Sequence, residues 1–128
     1  MDTLMLRCSM SPVIRDQQDE FNVITNKEGK MLVGRFGNFI GQFLASWKGS
    51  IAEGDVFVTN DVYEIDRAVT HLNDVIVPLP IHYKGEIVGW AANWAHVIKC
   101  LYCLRLFSTL RIILTLPIAM SEVRYQEV

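Results

Sequence analysis

The sequence predicts an α+β fold, built from β-hairpins around one central helix, with an apolar C-terminal tail predicted to be helical. Three observations carry that expectation. Two pairs of short apolar runs are each joined by a polar, glycine-bearing turn, as antiparallel hairpins require. One segment repeats its large apolar residues at three- and four-residue spacing, the helical period. Near residue 97 the character changes, because 97–120 contain neither an acidic residue nor a glycine.

Taken in order, residues 3–10 are expected to end a helix at Ser11-Pro12, since proline disfavours helical geometry in the residue before it. Residues 21–25 and 31–35 flank Asn26-Lys27-Glu28-Gly29, where glycine can take the positive φ that closes a hairpin. Phe39, Ile40, Phe43, Leu44 and Trp47 share one side of a helix over 38–48, with Gly49 as its stop. Residues 55–59 read as a buried strand, entered through Glu53-Gly54 and leaving into Asn60-Asp61. Between Thr70 and His96, two apolar runs joined by Lys84-Gly85 read as a second hairpin. Its Pro78 and Pro80 cannot donate ladder hydrogen bonds and predict an edge or bulged strand. Trp90 and Trp94 share a face there and are expected in the core. In the tail, Leu101, Leu104, Phe107 and 110–112 could form a helical face, while Cys103, Leu106, Ile113 and Leu114 spill beyond one stripe, as in a buried helix.

A chain of 128 residues, 51% hydrophobic and 20% charged, is expected to form one globular domain. The net charge of -2 offers no broad basic surface, so nucleic acid and anionic membrane are not expected partners. Lys99, Arg105 and Arg111 interrupt the tail, leaving no uncharged run near the ~20 residues that span a bilayer. Cys8, Cys100 and Cys103 are too few and odd in number for a disulfide scaffold, and the N-terminus lacks a signal layout. A cytoplasmic location is expected. The Cys100-Leu101-Tyr102-Cys103 pair is assigned no role, and Gly34, Gly37 and Gly41 do not form a phosphate loop.

The base of the second hairpin concentrates the chemistry. Thr70-His71-Leu72-Asn73-Asp74 and Ala95-His96 place imidazole and carboxylate donors, which borderline divalent cations accept, at its open end. A two-residue Lys84-Gly85 turn sets Asn73 opposite His96 and puts His71 on the face of His96. A three-residue loop of Tyr83-Lys84-Gly85 puts Asp74 there instead. In neither regular ladder do His71, Asp74 and His96 all point one way, so chelation requires 71–74 to leave strand geometry. Plainer readings compete. His71 could cap a loop, His82 could be solvent-exposed, and Asn60-Asp61 could be a turn held by side-chain bonds to nearby amides.

A wider set of motifs resembles the hydantoinase B family, which includes the oxoprolinase B half and the alpha subunits of acetone and acetophenone carboxylases. The motifs are Ser11-Pro12-Val13-Ile14-Arg15, Asp19-Glu20-Phe21-Asn22, Gly29-Lys30-Met31-Leu32-Val33, Gly54-Asp55-Val56-Phe57, Asn60-Asp61-Val62-Tyr63, Thr70-His71-Leu72-Asn73-Asp74, Gly89-Trp90-Ala91 and Ala95-His96. The resemblance implies a divalent metal, manganese or zinc, on His71, Asp74 and His96. It also implies ATP-dependent opening of a cyclic amide such as 5-oxoproline or a hydantoin, with ATP supplied through a hydantoinase A-type partner. Carboxylation of a ketone is the alternative reaction. From its position, Asp61 is the candidate catalytic carboxylate, orienting substrate or accepting a metal-bound histidine's other ring N–H.

The chain departs from the family beyond His96, where Val97-Ile98-Lys99-Cys100 stand in place of an aspartate and paired glycines. Residues 1–96 are therefore expected to be a partial hydantoinase B/oxoprolinase-type domain. Residues 97–128 are expected to be a divergent tail, joined by a frameshift or an unspliced intron. On that expectation a non-catalytic truncated product is a further alternative.

Overall fold

Two hairpins share one sheet, and what surrounds each of them differs. The computed structural model describes residues 2–35, 39–63, 65, 67, 69, 72–97, 110–113 and 125–126. Its elements are α1 (Asp2–Cys8), α2 (Pro12–Gln17), β1 (Glu20–Asn26), β2 (Met31–Gly34), α3 (Phe39–Ser46), β3 (Asp55–Val58), β4 (Asp74–Tyr83), β5 (Glu86–His96), β6 (Leu110–Ile113) and β7 (Tyr125–Gln126). Strands β2-β1-β5-β4 form an antiparallel sheet in that order, and β3-β6-β7 form a second one. The α+β expectation holds.

The β1–β2 hairpin closes as the sequence predicts. Gly29 takes φ 81°, and its N–H donates to the Asn26 carbonyl at 3.0 Å. A Cβ at Gly29 would lie 2.6 Å from the Gly41 nitrogen, so this turn rests directly on the backbone of α3. That contact seats the helix on the sheet. Val23, Ile76, Trp90 and Ala92 of the sheet pack against Phe39, Ile40 and Phe43 of α3, joined by Phe57, Ile65 and Val69. Phe43 meets Trp90 edge-on at 5.8 Å and Phe57 at 5.1 Å, geometries favoured by aromatic quadrupoles. Trp94 stacks on Phe21 at 4.7 Å, so both tryptophans serve packing.

One expectation is extended and one is corrected. Ser11-Pro12 not only follows a helix but opens another, α2, with Ser11 as N-cap and Pro12 in the first turn. Proline's missing N–H costs nothing at that position, and Val13 and Ile14 become buried as α2 packs on β5. In the tail, 110–113 are not helical but form β6, pairing antiparallel with β3 from Val58↔Leu110 to Asp55↔Ile113. The adjacent β-branched Ile112 and Ile113 favour a strand, and the edge of β3 supplies the hydrogen bonds. The rest of the predicted tail helix lies outside the described residues.

The β4–β5 hairpin turns through Lys84 (φ 52°) and Gly85 (φ 82°), the two positive φ values of a type I′ turn. Tyr83 pairs with Glu86 and His82 with Ile87, as a two-residue turn dictates. The register then shifts, Ile81 pairing with Gly89, so Val88 is an extra residue on β5. Every pair below this bulge is displaced by one. Pro78 and Pro80 sit on β4, the edge strand expected for them.

Candidate metal centre at the hairpin base

The bulge decides which side chains meet. Asp74, not Asn73, stands opposite His96, and Asn73 pairs with Val97 through Val97 N–H to Asn73 O at 3.0 Å. The regular two-residue ladder is thereby corrected at its base. His96 directs its N–H away from β4, to the Asp19 carbonyl at 3.1 Å. Asp74 and His96 therefore form a non-hydrogen-bonded pair, the type in which facing side chains come closest.

They do so here. His96 Nδ1 lies 2.9 Å from Asp74 Oδ1. Asp74 is 2% exposed, whereas the His96 side chain keeps 23% of its surface, so the pair opens outward on the imidazole side. Two donors ~2.1 Å from one cation and at right angles to each other sit about 3 Å apart. The observed spacing and donor types thus fit adjacent ligands as well as they fit a hydrogen bond. His71 and Thr70 lie outside the described residues. Among the described residues no group of three histidine, cysteine or carboxylate side chains is assembled that could hold a metal.

The segment before Asp74 is tied to the end of β3. Thr59 and Ile76 exchange backbone hydrogen bonds at 3.0 and 2.8 Å, and Asn60 Nδ2 donates to the Leu72 carbonyl at 2.8 Å. These bonds carry the loop holding Asp61 alongside the loop that leads into Asp74. Asp61 is buried, and its Oδ1 accepts the Tyr63 N–H at 2.8 Å while its own N–H donates to Thr59 Oγ1 at 3.2 Å. Its carboxylate therefore takes part in the local turn. His82 is half-buried rather than solvent-exposed, and its Nδ1 has no hydrogen-bond partner.

One polar cluster escaped sequence reasoning. On the sheet face turned away from α3, Asn22 Nδ2 donates to Glu20 Oε2 at 3.0 Å, and Asn93 Nδ2 donates to Asn22 Oδ1 at 3.0 Å. Asn22 stands opposite Asn93 in the β1–β5 ladder, and Glu20 is buried beside them. The signal was the alternation of Glu20 and Asn22 along β1, visible but uninterpretable without knowing which strand lay alongside.

Known proteins resemble this chain in sequence and in fold. The family model for hydantoinase B/oxoprolinase matches residues 1–100. An uncharacterised protein of Methanocaldococcus jannaschii is 32% identical over 108 residues, covering 75% of this chain and 19% of that protein. A 5-oxoprolinase of Pestalotiopsis fici is 28% identical over 105 residues, covering 75% of this chain and 8% of its own length. Among solved structures, nucleotide-free acetone carboxylase superposes with a TM-score of 0.60 at 18% identity, covering 76% of this chain and 14% of that one. The ATP-dependent caprolactamase of Pseudomonas jessenii gives 0.60 at 21% identity, covering 83% and 21% respectively. The two structural likenesses show a shared fold. The chain spans about a fifth or less of the length of each of these relatives.

Proposed function

The chain belongs to the hydantoinase B/oxoprolinase family, and from that premise we propose that it contributes the metal-bearing hairpin to ATP-dependent opening of a cyclic amide. The observation that carries this reading is the Asp74–His96 pair, a buried carboxylate held 2.9 Å from a partly open imidazole. Two relatives, the 5-oxoprolinase and the caprolactamase, are named for lactam substrates, which favours an amide over a ketone.

His71, Asp74 and His96 are the proposed ligands of a divalent cation, manganese or zinc. Such a cation supplies Lewis-acid polarisation of a carbonyl oxygen. The chain's own contribution is positional. Asp74, fixed in the sheet, restrains the His96 imidazole, and the bond from Asn60 to Leu72 ties the loop holding Asp61 to the loop that leads into Asp74. Asp61 then serves to shape the wall that meets substrate. ATP enters through a hydantoinase A-type partner.

The test is ADP release by the purified chain mixed with a hydantoinase A-type subunit, with 5-oxoproline, caprolactam or acetone as substrate. Lactam-dependent ADP release, lost in His96→Ala, supports the reading. Acetone-dependent release replaces it with the carboxylase alternative. No substrate-dependent release from a folded chain in stable complex with that subunit overturns it and leaves a non-catalytic product.

A further inference from the structure

The sheet has two edges, and they are treated differently. On the β4 side, Pro78 and Pro80 remove ladder donors, and Thr59 already bonds Ile76. On the β2 side, 31–34 contain no proline and no charge, and all four residues are exposed. Leu32 and Val33 keep 65% and 68% of their surface. An apolar edge of this kind is a template for another strand.

We propose that β2 is a docking edge for an extended segment of another polypeptide, apolar at alternate positions and acidic at both ends. The charge pattern selects that occupant. Lys30 and Arg35 bracket β2, both are exposed, and neither forms an ion pair with the described residues. A fifth antiparallel strand would place its flanking carboxylates beside them. The same pattern opposes a second copy of this chain, because self-pairing centred on Leu32 and Val33 would set Lys30 of one molecule against Arg35 of the other. A cleft of 320 Å³ lies where β2 ends beside β1, lined by residues 20–24 of β1 and by Val33, Gly34 and Arg35. It receives one apolar side chain of the incoming strand, the pocket element that gives strand addition its specificity. Leu32 is an extra residue on β2 between the Ile24↔Val33 and Thr25↔Met31 pairs, a bulge that limits the new ladder to a few residues.

The probe is a labelled peptide, Asp-Glu-Val-Thr-Val-Thr-Glu-Asp, and a counterpart with Lys and Arg flanks, each titrated into the intact chain by fluorescence polarisation. Amide hydrogen exchange locates the bound peptide. The acidic peptide is expected to bind and to slow exchange in 31–34. Its affinity should fall roughly tenfold in the Lys30→Glu/Arg35→Glu variant, while that of the basic peptide rises. Equal binding of both peptides, absence of binding, protection confined to other strands, or concentration-dependent dimerisation through β2 would each overturn the proposal.

Discussion

The two hairpins are built alike and used differently. Both close on a glycine at positive φ and both pair antiparallel with β1 or β5. Yet β4–β5 runs 10 and 11 residues and buries a carboxylate at its base, whereas β2 has 4 residues, all exposed. The difference lies in what each hairpin touches. β5 lies between β1 and β4 and carries Trp90 into the core, so its backbone is constrained from two sides. Only such a constrained strand can hold Asp74 against His96 without spending the pair's own energy to order them. Among the described residues β2 has a partner strand on one side alone.

The strongest way to break this contrast is through the constrained hairpin. Trp90→Ala should cost about 3–5 kcal/mol, since it empties a site packed by Phe43 and Phe57. Chemical denaturation would measure it. A loss below about 1 kcal/mol would mean that β5 is not the hub described. Next is Gly29→Ala, which demands positive φ of an L-residue and drives a Cβ into the Gly41 backbone. It should cost roughly 1–3 kcal/mol by the same measurement, more than an ordinary turn substitution.

How much of this was legible in the sequence depended on how local the cause was. Although Lys84 has no preference for its φ of 52°, which left two- and three-residue forms open, a turn at Lys84-Gly85 follows from its glycine and was readable. The register at the hairpin base was not. It depends on Val88 bulging out, and the neighbouring Gly89 has no room for a side chain, because a Cβ there would lie 2.5 Å from the Thr25 carbonyl of another strand. Ser11-Pro12 both follows one helix and opens the next, and the second role depends on the burial of Val13 and Ile14, which the sequence alone does not show. The β6 segment needed the edge of β3, more than 50 positions away in the chain. For the site, residue types pointed to Asp74 and His96, while their contact came from a bulge no periodicity shows.

Smaller effects sharpen the comparison. Asp61→Ala removes the acceptor for the Tyr63 N–H and should lower stability by about 0.5–1.5 kcal/mol, visible as a reduced denaturation midpoint. Leu32→Ala, on the exposed edge, should stay within about 0.5 kcal/mol. A larger loss there would show that β2 is less open than it looks. Least of all, Arg15→Ala should leave the melting temperature unchanged. Its exposed pairing with Asp16 raises the guanidinium pKa and lowers the carboxylate's, but water screens the interaction.

The central proposal is that His71, Asp74 and His96 at the base of β4–β5 hold one divalent cation. Manganese binding to the intact chain, followed by electron paramagnetic resonance of the free ion, tests it directly. One ion per folded chain is predicted, with binding lost in His96→Ala and in Asp74→Ala while the far-UV circular dichroism is retained. Binding unchanged in both variants, or no binding by a folded chain, would contradict it.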